Sequence, residues 1–111
     1  MRMPVSQIPT VIAEYFDSVL IPAANRAGSL QAFSVGFIGG LVSKNSQQMV
    51  NQNLPLMKTL GLVDNENMLN VDLAYEEACK SISKMPVIVG SYTADKADID
   101  QIREIMRKYS V

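Results

Sequence analysis

Histidine is absent from the 111-residue sequence, and cysteine occurs once, at Cys79. Without histidine the chain lacks the commonest general base, the usual metal ligand and an essential member of the serine and cysteine catalytic triads. A lone cysteine can form no internal disulfide, and Cys79 stands in an apolar helical stripe, where free cysteine usually serves as a small buried hydrophobe. The composition therefore predicts a cytoplasmic protein that is not an enzyme and binds no cofactor.

Clustered charge is also lacking. The net charge is −1, from ten Lys and Arg against eleven Asp and Glu, and no five successive residues carry charges of one sign. Binding to nucleic acid needs a clustered basic surface, so we expect no nucleic-acid partner. The chain reaches Glu14 and Asp17 before an apolar run of signal-peptide length has formed, so we expect no secretion signal.

The few charges are distributed unevenly along the chain. Residues 58–111 hold sixteen of them, whereas residues 1–57 hold only five. Those five are Arg2, Glu14, Asp17, Arg26 and Lys44. A helical half with so few charges must bury its faces against the rest of the chain or against another chain.

Apolar residues at helical spacing predict several helices in the first half of the chain. The first begins with Thr10 as its N-cap and ends at Pro22. The second is capped by Ser29 and runs to about residue 43, where it stops or continues as one longer helix. Pro55 predicts a kink or a new helix start near residue 53, and Gly61 predicts a C-terminal stop.

The second half predicts two further helices and a hairpin. Asp72 is the expected N-cap of a helix that ends before Pro86. The apolar runs within 87–94 flank a two-residue connection and predict a short hairpin. Asp95 is expected to cap the last helix, with Asp98 at its third position. The sequence thus predicts a mainly α single domain over 1–111, with four or five helices in a compact orthogonal bundle and one small β-hairpin before the C-terminal helix.

Two acidic segments invite comparison with metal sites. The stretch at 64–69 fails as an EF-hand loop, because Met68 stands at the fifth ligand position and Leu69 where the loop needs glycine. Asp95, Asp98 and Asp100 are close in sequence, but the first two are accounted for as helix caps. We expect no metal here, and carboxylate catalysis would require the three aspartates to be gathered in one pocket.

The most unusual stretch is AFSVGFIGGLV at 32–42, which has no charge and three glycines. A helix over 30–43 is about 21 Å long, too short to cross a hydrocarbon core of about 30 Å. Small residues recur every four positions beside a bulky ridge, a pattern typical of close helix packing. This packing lies within the chain or between copies of it. The residues expected to carry a contact between copies are Phe33, Gly36, Phe37, Gly40 and Leu41.

The C-terminal half resembles small uncharacterised proteins of phages, prophages and related mobile elements. The likeness lies in LGLVD at 60–64, LNVDLAY at 69–75 and PVIVG at 86–90, within residues 58–102. It implies a biological context rather than a reaction. We therefore expect a non-enzymatic interaction or assembly protein that self-associates through its first two helices, with a homo-oligomer or another protein as its partner. The alternatives are a regulatory module that binds another protein and a small membrane-associated protein without a spanning segment.

Overall fold

A computed structural model describes residues 1–27, 29–85, 87–89 and 92–111; of these, the side chains of residues 24, 27, 29–43, 87–89, 92 and 93 are outside the description. The chain is mainly helical, as the sequence predicts. Its elements in order are β1 (Arg2–Pro4), a 3-10 turn (Val5–Gln7), α1 (Ile8–Tyr15), a π-helical turn (Phe16–Leu20), α2 (Ile21–Ala27), α3 (Ser29–Thr59), β2 (Met68–Asn70), α4 (Val71–Lys84), β3 (Val87–Val89), β4 (Tyr92–Ala94) and α5 (Lys96–Tyr109).

Among the described residues, two small antiparallel sheets accompany the helices. Strands β3 and β4 pair within the interval predicted for the hairpin. The second sheet joins β1 to β2, with Met3 opposite Leu69, and was not expected from the sequence. Each of its strands is only three residues long, and the two lie more than sixty residues apart in the chain. Such a pairing has no local turn signal that a sequence pattern could show.

The first helix differs from its prediction at both ends. It begins at Ile8, and Gln7 rather than Thr10 occupies the N-cap position. At the other end the helical path continues past Pro22 into α2, because the chain widens into a π-helical turn just before the proline. There the Ile21 N–H donates to the Phe16 carbonyl, five residues back. The wider turn makes room for a proline that would clash with the preceding turn of a regular α-helix.

The sequence left open whether the middle of the chain forms one helix or two, and the structure shows one long helix. Helix α3 runs without a new start through Pro55, whose ring is exposed, and ends one turn later. Gly61 follows the helix end with φ +77°, as predicted for a C-terminal stop. Its N–H donates to the Lys58 carbonyl at 3.1 Å, and the Leu62 N–H donates to the Met57 carbonyl at 2.9 Å. These two bonds form a Schellman motif.

The N-cap of α4 differs from the predicted residue, whereas the N-cap predicted for α5 is confirmed. Asn70, not Asp72, caps α4, because β2 leads directly into the helix and the Asn70 side chain accepts from the Leu73 N–H at 3.1 Å. Asp95 caps α5 as predicted, and its partner in a reciprocal capping box is Asp98. The Asp98 N–H donates to the Asp95 carboxyl at 3.2 Å, and the Asp95 N–H donates to the Asp98 carboxyl at 2.8 Å.

The buried core lies where both ends of the chain meet the first helix. The fully buried side chains within it are Met3 of β1, Val11 of α1 and Val71 of α4. The other buried members of this cluster are Tyr15, Phe16, Leu20, Val63, Leu69 and Ile105. Among the residues described, no helix combines the length and apolarity needed to cross a bilayer.

Candidate functional site

A cavity lies between α1 with its π-helical turn, α4 and α5. Its volume is about 430 Å³. The lining residues of α1 and its π-helical turn are Ile8, Val11, Ile12, Tyr15, Phe16 and Leu20. Those of α4 are Ala78, Ser81 and Ile82. The remaining ones are Ala94 at the end of β4 and Asp98, Ile99, Ile102 and Met106 of α5. We call this space the interhelical cavity.

Helical spacing explains why the walls are apolar. On α1 the lining begins at Ile8 and recurs three and four residues later, which places one continuous apolar face toward the cavity. On α5, Ile99, Ile102 and Met106 have the same spacing. Helix α4 contributes Ala78, whose side chain is a single methyl group. The cavity therefore arises because three amphipathic faces meet without filling the volume between them.

Tyr15 and Asp98 are the buried polar side chains of the described lining, and Ser81 is an exposed one. The Tyr15 hydroxyl donates to the Asp98 carboxyl, linking α1 to α5 across 83 positions of the chain. Both side chains are buried, with 7% of Tyr15 and 5% of Asp98 exposed. The same carboxyl accepts the Asp95 N–H of the capping box, so it is held by hydrogen bonds from two directions. This arrangement fixes α1 against the start of α5.

Carboxylate chemistry would require the three aspartates in one pocket, but of the three only Asp98 lines the interhelical cavity, and each has different partners. Asp95 caps α5 from an exposed position, and Asp98 points to Tyr15. Asp100 instead accepts the Tyr75 hydroxyl at 2.5 Å and pairs with Lys96 at 3.3 Å. The Tyr75 hydrogen bond is the main reason that the pKa of Asp100 lies below its ordinary value, and it raises the pKa of Tyr75. Within the described residues, no group of three potential metal ligands is found.

A second polar cluster ties the N-terminus to α4 and α5. The amino group of Met1 lies 2.9 Å from Asp72, and Arg103 reaches the other oxygen of the same carboxylate at 3.0 Å. The Arg103 guanidinium also lies 4.5 Å from the centre of the Tyr75 ring. Hydrogen bonds from the N-terminal amine and from Arg103 hold the pKa of Asp72 below its usual range. Each charge here is engaged by the protein itself, which indicates a structural role.

The predicted contact residues all lie on the N-terminal half of α3. Phe33, Gly36, Phe37, Gly40 and Leu41 fall in the stretch whose side chains are outside the described residues. The helix that carries them packs against α1, the π-helical turn and α2. The contact predicted for these five residues therefore stays a prediction.

An apolar stripe farther along α3 was missed by the sequence reasoning. Met49, Leu56 and Leu60 are 45%, 57% and 60% exposed. Their spacing of seven and four residues places them on one side of the helix, with Leu60 directly after its last turn. The printed sequence contains this signal, since these three apolar residues recur at helical spacing on a helix with little charge. We call Met49, Leu56 and Leu60 the α3 stripe.

Comparison of the chain with protein-family models, curated protein sequences and solved structures yields no match. The resemblance of residues 58–102 to phage-borne proteins accordingly stays a prediction.

Proposed function

We propose that this chain is a non-enzymatic interaction protein that self-associates through α3 in the cytoplasm. The observation that carries the proposal is the α3 stripe, three large apolar side chains exposed together along one side of a long helix and just after its end. Isolated exposed leucines are common on protein surfaces, whereas a row of them on one helix face is typical of an interaction surface.

The charge pattern of α3 favours a second copy as the partner. Over its 31 residues the sequence of α3 contains only two charged residues, Lys44 and Lys58. Between them, the exposed positions include the neutral polar residues Asn45, Gln48 and Gln52. Amide side chains both donate and accept hydrogen bonds, so two identical faces can pair without the repulsion that rows of like charge would cause. Two-fold pairing of one patch with itself is the commonest form of self-association.

The uncharged N-terminal half of the same helix extends this proposal. Residues 29–43 contain no charge, and the contact predicted for Phe33 to Leu41 would lengthen the surface beyond the α3 stripe. A stable interface buries about 800 Å² on each partner, more than three side chains supply. The proposal therefore includes both halves of α3.

Light scattering coupled to size-exclusion chromatography tests the proposal. The wild-type chain is expected to elute with a mass above its monomer mass of 12.2 kDa. Leu56→Asp places a charge in the α3 stripe and should shift the population to monomer, and Gly36→Leu tests the upstream half in the same way. Gln47→Asp is the matched control, because Gln47 is exposed nine residues from Leu56 and so on the opposite side of α3.

A wild-type chain that stays monomeric at high concentration would contradict self-association. Dissociation by Gln47→Asp as effective as that by Leu56→Asp would show that the stripe is not the contact. The wild type could instead be monomeric and bind a defined partner protein that Leu56→Asp no longer binds. That result would support the alternative function, a regulatory module that binds another protein through the same surface.

A further inference from the structure

We propose that the interhelical cavity binds a small neutral molecule with a hydrocarbon body. This inference is independent of self-association, because it rests on the walls of α1, α4 and α5 rather than on α3. The cavity volume, the chemistry of the lining and the state of its polar groups each point to this class of ligand.

The volume matches a small molecule and not a folded partner. Ligand pockets in proteins measure about 300–1,000 Å³, and the interhelical cavity measures about 430 Å³. Apolar cavities of about 150 Å³ hold one benzene, so this one accommodates on the order of ten to seventeen carbon atoms. A protein partner would need a contact surface of about 800 Å², which a cavity of this size does not offer.

Among the described residues, the lining offers an incoming ligand no cationic partner. Of the described residues around the cavity, only Tyr15, Ser81 and Asp98 carry polar side chains. A phosphate or carboxylate buried there would lose its hydration without a Lys or Arg to replace it. An extended peptide would likewise bury backbone N–H and C=O groups that these walls cannot satisfy.

The hydrogen bond between Tyr15 and Asp98 engages the two buried polar side chains of the described lining, and the third, Ser81, is exposed. Tyr15 donates to Asp98, which also accepts from the backbone of the capping box. A hydrocarbon body can therefore lie against this pair without leaving a buried polar group unmet. Water gains little from apolar walls, so displacing it from such a space favours binding.

Fluorescence titration with N-phenyl-1-naphthylamine, a neutral probe that brightens in apolar surroundings, tests the proposal on the full chain. We expect saturable binding of one probe per chain and displacement by 1-decanol. Ala78→Leu fills the cavity from α4, and Ala94→Leu fills it from the end of β4; each should weaken probe binding at least tenfold. Ala97→Leu makes the same change at an exposed position of α5 and should leave binding unchanged.

Circular dichroism of each variant is the check that its helices are kept. The two filling variants come from different elements, so a folding defect in one leaves the other informative. Absence of saturable binding to the wild type overturns the proposal directly. Binding unaffected by the folded filling variants overturns it as well. Loss of binding in Leu56→Asp, with Ala78→Leu unchanged, would assign the probe to the α3 stripe instead.

Discussion

Removing the Tyr15 hydroxyl tests whether the buried pair with Asp98 fixes α1 to α5. Tyr15→Phe retains the ring, which is 7% exposed and packs edge-on against Phe16 with ring centres 6.2 Å apart. The hydrogen bond to Asp98 is lost. The Asp98 carboxyl stays buried with one donor fewer, and the loss should lower the free energy of unfolding by about 2 kcal/mol.

For a domain of this length, 2 kcal/mol corresponds to a fall in Tm of about 8 °C. Tyr109→Phe is the matched control, because its hydroxyl donates at 2.9 Å to Glu14 at a more accessible site where water can replace it. Chemical denaturation and thermal scanning should show a clearly larger loss for Tyr15→Phe than for Tyr109→Phe. Equal losses, or an unchanged Tyr15→Phe, would refute the role assigned to the buried pair.

Two further predictions concern the end of α3 and the response to acid. Gly61→Ala should lower the free energy of unfolding by about 1 kcal/mol, because an alanine at φ +77° is strained although its Cβ would meet nothing within 4 Å. Gly61→Asn should lower it less, since asparagine tolerates this conformation better. Equal stability of all three chains in urea would contradict this explanation. The pKa of Glu14 is held below its ordinary value by hydrogen bonds from Lys108 and then Tyr109. At acidic pH the unfolded chain therefore binds more protons than the folded chain. The stabilisation by Glu14 is complete above about pH 5 and is lost as the pH falls through about 4 and below. Urea midpoints measured from pH 7 to pH 3 should fall less steeply for Glu14→Gln than for the wild type, and parallel profiles would count against the assignment.

Local periodicity predicted most of the helices but missed α2, which continues the helical path past Pro22, and misplaced some boundaries. The Asp95 cap and the Gly61 stop depend on residues within one turn of the chain, and both are confirmed. The N-cap predicted at Asp72 was wrong because β2, paired with the N-terminal strand, delivers the chain into α4 at Asn70. That pairing is long-range, so no window of sequence contains it.

Pro22 illustrates a second limit on prediction. A proline after a helical run normally ends the helix, and the sequence offers no sign that this run will widen into a π-helical turn. Such a turn is favoured here by tertiary packing, since Phe16 and Leu20 at its two ends are both buried in the core. Burial of those side chains offsets the poorer geometry of the turn, and the path continues into α2.

The two candidate surfaces differ in how far the sequence could have revealed them. The α3 stripe is visible as spacing within one helix, and only the exposure of its side chains had to come from the structure. The interhelical cavity depends on where three separate helices meet and on one small residue, Ala78, at their junction. The sequence shows three apolar faces, which are equally compatible with a filled core. The unfilled volume is a property of their tertiary packing, so the cavity required the structure and the cavity-filling variants are its most direct test.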